Sequence, residues 1–214
     1  DLLIIFNDKK NNQMKTLALF LVASLIGLNV IAQNQAETFI KEAQDFLAKK
    51  EYKQAQLSLQ DAINDLNTLI AADIAKSLPA EINGLKAGGD GDVNTAGMGV
   101  MGGGFTITKN YNHPANKDNE AEVQILANSP LLTSMNMYLS NPAMMGADYK
   151  SVRVGTQRAI LKSEMDDNKR STEIQIPLSQ TLITLHLEGF ATEQDELAFA
   201  NKLDIAKLKA ALGE

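Results

Sequence analysis

The chain has 214 residues, a formal net charge of −6 and no cysteine. An acidic chain without a basic run is a poor match for nucleic acid or anionic lipid. The missing cysteines exclude a disulfide framework, a thiol nucleophile and a thiolate metal site, so stability rests on packing.

Residues 1–13 precede Met14 and read as a spurious upstream extension. Met14 opens MKTLALFLVASLIGLNVIAQ. In it Lys15 is a short positive region, Leu17 to Leu28 is almost wholly apolar, and Val30 and Ala32 suit a signal-peptidase site before Gln33. The pattern predicts a secretory signal peptide over 14–32. Retention as an uncleaved anchor is the alternative, although the apolar run is short for a membrane span. Losing residues 1–32 removes Lys9, Lys10, Lys15, Asp1 and Asp8 and moves the charge from −6 to about −7. The expected location is the periplasm or the exterior, with no stable membrane anchor after cleavage.

Residues 33–79 predict a helical hairpin. Ala36, Phe39, Ile40, Ala43, Phe46 and Leu47 form one apolar stripe at helical spacing, and Tyr52, Ala55, Leu59, Ala62, Ile63, Leu66 and Ile70 form a second. Lys49 to Glu51 is the turn, and Pro79 stops the second helix. The antiparallel hairpin is expected to dock on the rest of the domain. Residues 80–104 are Gly-rich and predict a mobile connection, with one short strand over 82–86.

Residues 105–214 predict an α+β domain. FTITKNY alternates Phe105, Ile107 and Tyr111 against Thr106, Thr108 and Asn110, and AEVQILAN (121–128) alternates likewise, so both read as strands. Ser129-Pro130 starts a short inserted helix that Asn141-Pro142 ends. KSVRVG, RAILKSE, STEIQIPLS and TLITLHLEG predict four more strands, with DDNKR (166–170) as a hairpin turn. Thr192, with Asp195 and Glu196 behind it, opens a C-terminal helix. Asp204 can cap a final one that turns Ile205, Leu208 and Leu212 inward. Short turns between successive strands favour an antiparallel sheet, with the C-terminal helix on one face.

Chemistry is sparsely signalled. Gly97, Gly99 and Gly102 spell G-x-G-x-x-G, the spacing of a dinucleotide turn. No buried strand precedes them and a strand rather than a helix follows, so nucleotide binding is not expected. His113 lies in a polar loop, and His186 shares a polar strand face with Thr184 and Glu188. Neither has a partner suggesting catalysis. No G-x-S-x-G elbow and no H-E-x-x-H helix occurs. Asp90 and Asp92, and Asp166, Asp167 and Asn168, lack a calcium-loop frame. Glu164, Asp166 and Glu173 are not singled out as an acid–base pair by their spacing. No catalytic residue, cofactor or metal is expected. Met98, Met101, Met135, Met137, Met144 and Met145 cluster between residues 98 and 145. They read as core filling or as an adaptable apolar contact surface, with copper(I) a lesser option.

Two resemblances follow from these stretches. Ala43, Phe46, Tyr52, Ala55, Leu59 and Ala62 resemble the small and aromatic positions of a single tetratricopeptide hairpin over 36–69, although Asn67 stands where the closing proline belongs. One copy does not make a peptide-binding superhelix. AGMGVMGGGFTITKNY, ILANSPLLTSMNMYLSNPAMMG and VGTQRAILKSE, behind the Leu78-Pro79 step, resemble an uncharacterised family of exported bacterial proteins. That family has a helical N-terminal segment, a Gly/Met stretch and a strand-rich domain, and it implies export without an activity. The expectation is a non-enzymatic envelope protein that binds a partner protein. The alternative is a periplasmic carrier of an apolar small molecule or lipid held between sheet and helices.

Overall fold

A computed structural model describes residues 35–95, 104–129, 132, 139, 145–166 and 168–214. Helices α1 (Gln35–Ala48) and α2 (Tyr52–Ser77) form the expected hairpin. The first ends because Lys50 turns left-handed (φ 63°). The Glu51 N–H then reaches back to the Phe46 carbonyl at 2.9 Å, which satisfies a carbonyl the helix leaves open. The second ends at Leu78, whose ψ of 140° is the extended conformation that a following proline imposes.

After Pro79 the chain is more regular than a single strand over 82–86 would make it. Strands β1 (Glu81–Ile82) and β2 (Leu85–Ala87) pair across Asn83-Gly84. Both turn residues have positive φ, 50° and 87°. That two-residue turn matches the twist of paired strands, and Asn-Gly is its strongest sequence signal. Strand β3 (Asp92–Asn94) follows and pairs with β4 (Phe105–Asn112).

The remaining strands are β5 (Glu120–Ala127), β6 (Tyr149–Val154), β7 (Gln157–Asp166), β8 (Lys169–Pro177) and β9 (Thr181–Glu188). Among the described residues they form one antiparallel sheet in the order β1-β2-β4-β5-β9-β8-β7-β6, with β3 also on β4. After β5 the chain crosses to the far edge and returns as a meander, so that β9 closes the gap between β5 and β8. Two helices follow, α3 (Glu193–Ala200) and α4 (Ile205–Leu212). Thr192 caps the first, its hydroxyl accepting from the Asp195 N–H, and Asp204 caps the second through the Lys207 N–H. The fold is α+β.

Ile107, Ile125, Ile183 and Ile176 lie side by side across four strands on the inner face, all fully buried. This face is covered by α3 and α4, as expected, and also by the last turns of α2. Ala71, Ile74, Ala75 and Leu78 join the same core as Phe199 and Leu208, and Ile82 and Leu85 join it too. Phe199 meets Tyr111 and Phe190 edge to face, with centroids 5.7 and 5.8 Å apart. The outer face is polar except at one corner, where Leu132 and Leu139 cover Ile160 and Leu182.

Two polar side chains on the inner face of β4 fasten the end of α2. Lys109 is buried, and its Nζ donates to the carbonyls of Ala75 and Leu78 at 3.2 and 3.1 Å. The Tyr111 hydroxyl donates to the Pro79 carbonyl at 2.9 Å. These carbonyls sit where a helix leaves its last acceptors unpaired. Burial lowers the Lys109 pKa, against an opposing pull from Asp90. Burial raises the Tyr111 pKa to about 12.

That shift has a signed consequence. A tyrosine whose folded pKa is raised stabilises the fold fully below the unfolded value, and this stability is lost as pH rises through the folded value. Between pH 10 and pH 12 the protein should lose about 3 kcal/mol on this account. Tyr111→Phe should cost about 1 kcal/mol at neutral pH for the lost hydrogen bond, and should remove that alkaline limb. Urea unfolding of both proteins from pH 8 to pH 12 checks it. Parallel alkaline losses in the two proteins would contradict the assignment.

Candidate interaction surface

The hairpin closes through its smallest residues. Ala36 and Ala43 of α1 and Ala55, Ser58 and Ala62 of α2 are all buried. The Ala36 N–H donates to Asp65 Oδ2 at 2.8 Å and sets the register of the pair. Small contact residues let two helix axes approach closely, which pushes larger neighbours to the flanks.

Those flanks are apolar and open. Ile40, Leu47, Leu59 and Leu66 each stand four residues after an interfacial alanine, and each is 41–49% exposed. Tyr52, Ile63 and Ile70 extend the α2 stripe at helical spacing and are exposed as well. Residues i and i+4 lie on one helix face. Antiparallel helices turn in opposite senses when viewed from one end. The position four after the contact therefore falls on the same side of the hairpin in both helices. One apolar face results, shared by α1 and α2.

The hairpin docks on the domain as expected, but not through these stripes. The sheet takes a different side of α2, through Ala71, Ile74, Ala75 and Leu78. Amphipathic spacing marks an apolar stripe without naming what covers it. Among the described residues, nine of the ten large apolar side chains that stand exposed belong to this hairpin, seven of them on this face and Leu57 and Leu69 off it; the tenth is Met165 on β7. Monomers rarely leave a contiguous apolar patch beyond roughly 300–600 Å² without a use for it.

The methionines give less. Met98, Met101, Met135, Met137 and Met144 lie outside the described residues, as do Gly97, Gly99 and Gly102. Met145 is half-buried against the Leu132, Leu139, Ile160 and Leu182 cluster, which is core filling at that position.

His113 Nδ1 accepts the N–H groups of Ala115 and Asn116 at 3.2 and 3.0 Å, stapling its own loop. His186 stands on the outer face with Nδ1 3.8 Å from Glu173 Oε2. Glu164 pairs with Lys162. Among the described residues no three His, Asp or Glu side chains converge as a metal site. The group that sequence reasoning missed is Glu196. Its side chain is fully buried and accepts from Arg170 Nε at 2.7 Å, Arg170 Nη2 at 3.3 Å and Thr172 Oγ1 at 2.6 Å. Arg170 also donates to Ser163 at 2.9 Å. The sequence signal was an acidic residue in the first turn of a helix, which suits the helix dipole equally well when solvated. A buried and fully paired carboxylate ties α3 to β8. Its hydrogen-bonding capacity is spent on the protein itself.

One open cleft mixes polar and apolar residues, with Asp118, Lys169 and Arg170 beside Met165 and Phe190, and another is lined mainly by polar ones, Asn110, Glu122, His186 and Glu188 among them. No helix among the described residues is long and apolar enough to cross a membrane. No family model matches the chain, and no curated protein or solved structure matches it.

Proposed function

We propose that the chain is an exported, non-enzymatic envelope protein that binds a partner protein through the apolar face of its helical hairpin. The observation that carries this reading is the exposed stripe of Leu59, Ile63, Leu66 and Ile70 beside Ile40 and Leu47. Burying such side chains releases about 25 cal/mol for each Å² removed from water, and the described residues leave them uncovered. Export rests on Lys15, the Leu17–Leu28 run and Val30 and Ala32, read together with resemblance to exported bacterial proteins. The carrier alternative has less behind it, because the layer between sheet and helices is filled by fully buried side chains such as Phe105, Ile125 and Phe199.

A photo-crosslinking residue at Ile63, introduced in the producing cell, tests the reading. It should yield a protein adduct in the envelope fraction, whereas the same residue at Met165 should not. N-terminal sequencing of the purified protein should begin at Gln33. A chain found only in the cytoplasm would refute export, and a hairpin that yields no adduct at Ile63 or Leu47 would refute partner binding.

A further inference from the structure

We propose that the partner on this face is a second copy of the chain, the two hairpins packing about a twofold axis as a four-helix bundle. This rests on the hairpin face being the binding surface.

Three features point to self-association. The first is area. Ile40, Leu47, Tyr52, Leu59, Ile63, Leu66 and Ile70 are each 38–65% exposed on this one face, and a standard stable interface takes about 800 Å² from each partner. Seven large apolar side chains supply the apolar centre that such an interface is built around.

The second is shape. A twofold interface is self-complementary, since one patch must fit its own copy. Two antiparallel helices with apolar residues on one shared side are half of a four-helix bundle. The alanines have already closed the seam within each half. The larger leucines and isoleucines remain for the layer between the halves, where the helices lie further apart.

The third is charge. The turn end of the hairpin carries Lys49, Lys50 and Lys53 against Asp45 and Glu51. The opposite end, where Ala36 meets Asp65, carries Glu37, Asp61 and Asp65 against Lys41. A twofold axis across the hairpin sets each basic tip beside the acidic end of the other copy. Parallel stacking would oppose like charges, so the charge pattern selects the antiparallel dimer.

Sedimentation of the protein purified from its producing cell, over a hundredfold concentration range, tests this. The expected mass is twice that of one chain at micromolar concentration. Leu59→Lys with Leu66→Lys should give one chain mass with unchanged circular dichroism, since both positions are exposed in the isolated fold. The chain has no native cysteine, so Leu59→Cys, near the middle of the face, should oxidise to a covalent dimer while Met165→Cys should not. A wild-type protein that sediments as a single chain overturns the proposal, including the case in which its own residues 1–34 protect the face. A single-chain mass with a foreign protein cross-linked at Ile63 defeats self-association and leaves partner binding standing. A single-chain mass with no adduct defeats both.

Discussion

Arg170→Met should destabilise the domain by about 3–5 kcal/mol, because it strands a carboxylate in the core. Glu196 is fully buried, and Arg170 supplies two of its three hydrogen bonds. Without the guanidinium, Thr172 alone would hold that charge. The loss should be far larger than for an exposed pair such as Lys169 with Glu188, which at this site contributes little. The double variant Arg170→Met with Glu196→Leu should recover most of the loss. It removes the buried charge together with its partner, and Ser163 and Thr172 keep the 2.7 Å hydrogen bond between their hydroxyls. Urea unfolding of the wild type, the single variant and the double variant gives the answer. A single variant within about 1 kcal/mol of the wild type would show that the pair does not hold α3 on the sheet.

Gly189→Ala should be comparably severe, at about 3 kcal/mol or more, for a backbone reason. Gly189 follows β9 with φ +70°, and a Cβ there would stand 2.0 Å from the Asp118 carbonyl oxygen. The obstacle is main chain, so no rotamer change relieves it. The site is also pinned on both sides. The Gly189 N–H donates to the Arg170 carbonyl at 2.9 Å, and its own carbonyl accepts from Asn119 Nδ2 at 3.1 Å. Relieving the clash therefore pulls on the 118–119 loop and on the β8–β9 end together. Gly155→Ala is the comparison, since its φ of +58° is also left-handed but nothing lies within 4 Å of a Cβ there. It should cost only the left-handed penalty of about 1–2 kcal/mol. Equal melting temperatures for the two variants would show that the 118–119 loop yields freely.

Much of the local structure was legible in the sequence. Helical spacing located α1 and α2, and Pro79 marked the end of the second. Two-residue alternation located β4, β5 and β9, because half-buried strands write their two faces into the chain directly. Thr192 and Asp204 announced the caps of α3 and α4 by chemistry that operates within one turn. Asn83-Gly84 was equally readable as a hairpin turn, although the glycines around it suggested a formless connection.

The sequence by itself thus determined where elements begin, where they end and which sides are apolar, since these depend on residues within a few positions of one another. Tertiary structure alone decided what each apolar side meets. The pairing of β9 with β5 joins segments some sixty residues apart, and no local pattern encodes it, whereas β8 meets β9 across a short turn. Lys109 shares a strand face with Ile107 and Tyr111, yet only the arrival of the α2 terminus over β4 gives its ammonium two carbonyls to bind. Glu196 became a core residue only because β8 brought Arg170 and Thr172 beneath it. In the hairpin, both alanines and leucines read as one stripe. Close approach of two helix axes selects the small side chains for the seam, and that selection leaves Leu59, Ile63 and Leu66 uncovered by the other described residues.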